Sequence, residues 1–411
     1  MIGFSCYVLA DSYFISIAKG ADGLTALNLV MPLYSIIFSI GEMIGVGSAI
    51  RYAISKIKKD ADADDYFWNA LIWCILSSML FVFAGIFFSA DIMRVLGADE
   101  HIVAVGNNYT KIFMCFAPMF MCNYVTNAFV RNDGAPGIAM SATLFSSLFN
   151  IVFDYILMFP MNLGMEGAAL ATALSPIIGM GICSIHFFSK KSSVRLVVCK
   201  PSVRKLVAGS QLGVSAFVGE MSSAVITLAF NFVILKLAGN VGVAAYGVVA
   251  NIAIVTTAVF NGVAQGSQPL ISSCFGRGDK DGCTQLKRMG YTTAFVLAAV
   301  MYSILFIFAG QFVAVFNSEG SEMLRLYATE GVKLYFIGIF FAGINIVGGG
   351  AFSATEDAFK AAVVSVARGF VLILGAVFVM SALFGMTGVW LAYAVAEGIT
   401  TFIMLVMAMR V

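Results

Sequence analysis

The chain has 411 residues, of which 60% are apolar and only 11% charged. Soluble domains run at about 45–50% and 25%, so an ordinary soluble fold is excluded. A net charge of +2 leaves no electrostatic footprint for a nucleic-acid partner. Two histidines, and no GxSxG, HExxH or Walker A spacing, leave no familiar enzyme site and no ATP-driven motor.

Taken in order, twelve apolar runs are long enough to cross a bilayer as helices: 1–18, 25–50, 66–89, 107–130, 137–160, 166–189, 209–237, 242–275, 288–316, 327–353, 360–384 and 387–409. They predict an all-α membrane protein with short connections. The first run carries Asp11. An ionised aspartate inside a span costs about 2.5–3.5 kcal/mol on insertion scales, so such a residue is a functional candidate by default. Pro32, Pro118, Pro176 and Pro269 fall inside the second, fourth, sixth and eighth runs and are read as packing kinks or gating hinges. Cysteines form no CxxC pair and read as small core residues.

Of the 24 Lys and Arg residues, 18 fall on the side reached after each even-numbered span, Arg131, Arg368 and the terminal Arg410 among them. The positive-inside rule makes that side, and the C-terminus, cytoplasmic in a multi-pass plasma-membrane (cell inner membrane) protein. The longest basic connection, Ser189–Ser210, divides the chain into an N-terminal six-helix bundle at 1–189, a basic linker at 190–208 and a C-terminal six-helix bundle at 209–411.

The two halves are related. At a shift of 219, Leu9, Ala10, Gly20, Gly23, Ala26, Val30, Gly47, Ser48 and Asp60 meet identical residues. At a shift of 221, GMEGAALATA (Gly164–Ala173) meets GMTGVWLAYA (Gly385–Ala394). Six spans per half makes this a parallel repeat, the arrangement of carriers that work by rocking two halves about a cleft. The alignment sets Met1 against Glu220, whereas the seventh run starts near Gly209. The first helix is therefore expected to be truncated at its N-terminal end.

The chain resembles the multidrug and toxic compound extrusion (MATE) transporters. The stretches that carry the resemblance are LADSYFISIAKGADGLTALNLVMP (Leu9–Pro32), GEMIGVGSA (Gly41–Ala49), NIVFDYILMFPMNLGMEGAALATALSP (Asn150–Pro176) and AAYGVVANIAIVTTAVFNGVAQGSQPLISSCFGRGD (Ala244–Asp279). The resemblance implies a secondary active antiporter that exports organic cations against protons or sodium ions, as a monomer in the bilayer and without a cofactor.

Five carboxylates lie well inside spans: Asp11, Glu42, Asp154, Glu220 and Glu397. Basic residues are nearly absent there; Arg368 and Lys333 are read as lying near span ends, free to snorkel. An acidic interior favours a cationic cargo or coupling ion. Asn150 and Asp154 are four apart and share a helix face. Asp11, Asn150, Asp154 and Thr172 match the family's N-terminal cation-coupling positions. Two carboxylates in a low-dielectric site can share a proton, and the carboxylate, amide and hydroxyl oxygens also form a hard-ligand set for sodium. Glu220 matches a span-seven family position, although the tenth run lacks the acidic partner. Glu220, Glu42, Glu397, Asn251, Asn261 and Gln265 are candidates for cargo or a second cation. The alternative within the same superfamily is a lipid-linked oligosaccharide flippase, which should show interior Arg or Lys for its anionic cargo. No nucleophile–base pair or metal set points to an enzyme.

Overall fold

The computed structural model describes residues 2–195, 197–316 and 321–409; the side chains of 2–9, 21, 224, 315, 316 and 409 fall outside the description, as does Arg410 from the charge count above. Every regular element among these residues is helical. In chain order they are α1 (2–19), α2 (Asp22–Lys58), α3 (Asp65–Val95), α4 (Glu100–Asn132), α5 (Pro136–Met158), α6 (Gly164–Phe187), α7 (203–238), α8 (240–276), α9 (Lys280–Ile307, continued at Ala309–Phe316), α10 (Glu322–Ala354), α11 (358–384) and α12 (386–409). The described chain is thus the expected all-α membrane fold with twelve spans. Helix α4 bends by 45° between Cys115 and Ala117. Pro118 sits just past the bend; it has no N–H to donate, and its ring crowds the preceding turn.

Four tight turns reverse the chain, and each is spelled Gly-x-x-Gly. Gly20 (φ 59°, ψ −142°), Gly239 (φ 62°, ψ −158°) and Gly385 (φ 58°, ψ −135°) break the α1–α2, α7–α8 and α11–α12 pairs. Gly164 (φ 50°) opens α6 after α5. These torsions lie in territory that only glycine occupies without strain. The second glycine of each turn lets the returning helix start against the one before it. A Cβ on Gly23 would stand 2.9 Å from the Ile15 side chain, and one on Gly242 would stand 2.8 Å from Ile234. Gly20 and Gly239 are 219 apart, and Gly164 and Gly385 are 221 apart. The repeat seen in the sequence is therefore a repeat of turn conformation. Capping repeats too: Asp99 caps α4 through Ile102 N–H, and Ser321 caps α10 through Leu324 N–H. Asn108 of α4 donates to Glu166 of α6 at 2.7 Å, and at the corresponding place Thr387 of α12 donates to Glu330 of α10 at 2.7 Å.

The chain divides into two compact units, one running to Phe217 and the other from Val218. In the second, Phe230, Tyr246, Tyr335, Phe336 and Trp390 are buried in the core. In the first, helix α7 already begins at Val203, inside the stretch expected to be linker. The rest of that stretch is docked on the bundle. Buried Asp133, just past α4, accepts from His186 Nε2 at 2.8 Å, from Ser192 Oγ at 3.0 Å, from the Ser193 N–H at 2.9 Å and from Ser193 Oγ. Burial pushes the Asp133 carboxyl up, but the hydrogen bonds from Ser193, His186 and Ser192 outweigh it and hold the group below the usual carboxylate range. Asn69 exchanges two hydrogen bonds with the Ser202 backbone, at 2.7 and 3.3 Å. The first turns of α7 then lie against α2 backbone to backbone, since a Cβ on Gly213 would stand 2.0 Å from the Met43 carbonyl oxygen.

Substituting Gly239→Ala is expected to destabilise the protein by about 1–3 kcal/mol, the cost of a strained backbone torsion. Gly262→Ala, where an added Cβ meets nothing within 4 Å, is the control and should leave the melting temperature unchanged or raise it. Thermal melts of the purified variants in detergent make the comparison.

Candidate functional site

The first unit brings the four leading candidates into one polar cluster. Helix α5 presents Asn150 and Asp154 one turn apart on the same face, both fully buried. The Gly164 turn returns the chain at once, and Gly167 starts α6 against the end of α5, where a Cβ would stand 2.8 Å from the Leu157 backbone. Two turns on, Thr172, 1% exposed, reaches Asn150. With its amide oriented to satisfy both atoms, Asn150 donates to Asp154 Oδ2 at 3.2 Å and accepts from the Thr172 hydroxyl at 3.1 Å and the Thr172 N–H at 3.2 Å. Asp11 of α1, 4% exposed, lies close enough for its charge to act on Asp154.

Two tyrosines complete the cluster. Tyr109 of α4 hydrogen-bonds Asp11 and also lies within electrostatic reach of Asp154. Its hydroxyl is 2.5 Å from that of Tyr34 on α2. Tyr34 stacks on Phe113, with ring centroids 3.6 Å apart and planes 14° apart, which fixes its position. Sequence reasoning did not select either tyrosine. The available signal was the polar run Asn107–Thr110 in an otherwise apolar bent span.

The electrostatics of the cluster are unusual for a membrane interior. Among the described residues, Asp11 Oδ1 and Asp154 Oδ1 are buried and have no hydrogen-bond partner. Buried carboxylates are ordinarily paired or fully hydrogen-bonded. Here the bonded oxygens are held by neutral groups: Tyr109 on Asp11, Asn150 on Asp154. Two carboxyls with open oxygens, one amide, one alcohol and one phenol form a site that a proton or a small hard cation would complete.

The remaining candidates are arranged differently. Glu42 is buried on α2, with Arg131 of α4 within electrostatic reach. In the second unit, Glu220 of α7 and Asn251, Asn261 and Gln265 of α8 are half-buried. Glu397 of α12, 3% exposed, is held by Arg368 of α11 at 2.7 Å. Asn345 of α10 adds a 2.7 Å hydrogen bond to the same carboxylate. The reading of Arg368 as a snorkelling residue near a span end is therefore corrected. It lies on a π-helical turn, Ala367–Val371, and points into the unit toward Glu397. A single widened turn rotates the following helix face, which is how a residue near the start of a span comes to face inward. The interior arginine does not favour the flippase alternative, because Glu397 cancels its charge.

The fold, with the buried carboxyls of Asp11 and Asp154 at the heart of one unit, defines a membrane carrier built from two related six-helix repeats. Comparison with known proteins agrees. The MatE family profile matches residues 1–156 and 216–379, and the chain belongs to that family: it is a membrane transporter and not an enzyme. It is 27% identical over 405 residues to the multidrug export protein MepA of Staphylococcus aureus (strain MRSA252), covering 96% of this chain and 87% of the relative. The MepA of Staphylococcus saprophyticus is 26% identical over 400 residues, with the same coverage. Among solved structures, an outward-facing multidrug resistance MATE family transporter of the MOP superfamily superposes with a TM-score of 0.92 at 21% identity, covering 100% of this chain and 92% of that one. A MOP superfamily transporter from Pyrococcus furiosus, described as having a binding pocket of reverse polarity, gives 0.91 at 20% identity, with 100% and 92% covered.

Replacing Asn150 by Leu removes the donor to Asp154 and the acceptor for Thr172 at a buried site. The expected loss is about 1–3 kcal/mol, the penalty for leaving buried polar groups unmade. Thermal melts at alkaline and acidic pH check it. The loss should be smaller in acid, where Asp154 carries a proton and no longer needs a donor to its charge.

Proposed function

We propose that this protein is a secondary antiporter that exports small organic cations in exchange for protons or sodium ions. The observation that carries the reading is the pair of buried carboxylates, Asp11 and Asp154, each with an oxygen left open. A membrane protein that holds such a pair without a fixed positive partner needs a cation there for part of its cycle. Neutralised by a proton or sodium ion, the site is compatible with its low-dielectric surroundings; emptied, it is a charged cleft that favours a cation. Alternation between those conditions, linked to rocking of the two repeats, couples cargo to ion. The MepA relatives are named as multidrug export proteins, which supports a broad range of cargo for this chain. Asp11, Asn150, Asp154 and Thr172 are the coupling residues on this reading, and Tyr109 positions Asp11. Glu220, Glu42, Asn251, Asn261 and Gln265 are candidates for contact with cargo. The charge asymmetry of the connections supports a plasma-membrane protein with a cytoplasmic C-terminus. The reading takes the protein as a monomer that needs no cofactor.

In everted vesicles, Asp11→Asn should abolish gradient-driven transport of ethidium while leaving the amount and melting temperature of the protein near wild type. Undiminished transport by that variant would remove Asp11 from coupling. Asp154→Asn should retain partial transport with a displaced pH optimum, because one member of the charge pair is gone. A pH–rate profile that superposes on wild type would show that the two carboxyls do not act together.

A further inference from the structure

The second unit also buries a carboxylate, but on different terms. Every oxygen of Glu397 is engaged. Oε1 accepts from Arg368 Nη2 at 2.7 Å and from Arg368 Nε at 3.1 Å. Oε2 accepts from Asn345 Nδ2 at 2.7 Å and from Arg368 Nε at 3.3 Å. Asn345 is itself anchored, donating to the Glu397 carbonyl at 2.9 Å and accepting from Thr401 Oγ1 at 3.0 Å. The other titratable groups facing the pair are Tyr393 of α12, which hydrogen-bonds Arg368, and Tyr335 of α10; Tyr246 of α8 lies behind them, within reach of both.

The repeat sets this network beside its counterpart in the first unit. Asn345 corresponds to Asn123 at a shift of 222, the shift that also relates the α4 and α10 caps. Glu397 corresponds to Pro176 at a shift of 221, and Arg368 falls on Ser146 or Ser147. In the first unit, Ser146 donates to the Ser175 carbonyl at 2.7 Å. A position occupied by neutral groups in one unit holds a complete ion pair in the other. Asp11 and Asp154 keep an oxygen open, whereas Glu397 has none.

We propose that Arg368 is a resident counter-cation for Glu397, and that it closes a second cation-exchange position which the second unit would otherwise contain. Arg368 is here a positioning and specificity-determining residue, and the exchangeable charge of the carrier is confined to carboxylates other than Glu397. This inference rests on the antiport reading given above. It adds that Glu397 would join the exchange if its arginine were removed.

The test counts cations released when cargo binds. Wild type, Arg368→Met and Arg368→Met/Glu397→Gln are held in lipid nanodiscs, and tetraphenylphosphonium is added in weakly buffered solution, with and without radioactive sodium. Proton release is read by a pH electrode and sodium displacement by filtration. Arg368→Met should release one cation more per bound tetraphenylphosphonium than wild type, and the double variant should return to the wild-type number. Equal release from wild type and Arg368→Met would overturn the inference while leaving antiport intact. No release from wild type would instead overturn the antiport reading. Where Arg368→Met is poorly stable, its melting temperature against pH replaces the count: destabilisation relieved by acid and by the added Glu397→Gln change supports the pair, and destabilisation indifferent to both overturns it. Arg368→Lys, which keeps the cation, should behave as wild type in either measurement.

Discussion

A carboxylate taken out of water must be neutralised, paired or hydrogen-bonded on every lone pair it exposes, or its burial costs several kcal/mol. This chain meets that constraint in two opposite ways. In the second unit, Glu397 is neutralised by Arg368 and bonded by Asn345. In the first, Asp11 and Asp154 are brought within reach of each other, supported by neutral donors and left with open oxygens. The antiport reading given above rests on that contrast: a proton or a small cation would complete the arrangement in the first unit.

The repeat makes the contrast sharper. The counterpart of Asp11 is Phe230, that of Thr172 is Tyr393, and that of Asp154 falls at Gly375–Ala376. Tyr109 corresponds to Gly331, and Ala169 to Trp390. The large residue has changed sides: a Cβ on Gly331 would stand 3.1 Å from the Trp390 indole, so the second unit has its bulk on α12 where the first has it on α4. Tyr246 stacks on Trp390, Phe230 stacks on Tyr246 and meets Tyr335 edge-on, and Tyr335 stacks on Tyr393 with centroids 4.3 Å apart. One backbone plan thus supports a polar cluster in one unit and an aromatic core in the other. The four Gly-x-x-Gly turns hold the plan constant while the interior diverges.

Much of this was legible in the amino-acid order because membrane burial leaves a coarse record. Apolar run length gave the twelve spans, and the same runs made five interior carboxylates conspicuous. Asn150 and Asp154 could be placed on one face because four residues make about one helical turn. What the order could not convey is which helices are neighbours. Tyr34 and Tyr109 join the site only because α2 and α4 pack beside α1, and the polar run around Tyr109 does not say which helix it faces. Arg368 was misjudged for a related reason. It was read as lying near a span end, and the sequence does not announce the π-helical turn at Ala367–Val371 on which it sits. Likewise, nothing in the order shows that the basic linker is tied down by Asp133 and Asn69, single polar residues whose partners lie 53 to 133 positions away.

The central claim is that cargo and cation cross in opposite directions through one carrier. It is tested most directly by reversing the usual drive. Wild-type protein is reconstituted in liposomes with equal proton and sodium activities on both sides, and a gradient of ethidium is imposed. The account predicts that ethidium running down its gradient moves protons or sodium uphill the other way, seen by an internal pH dye or by radioactive sodium. Equilibration of ethidium with neither ion moving would contradict it.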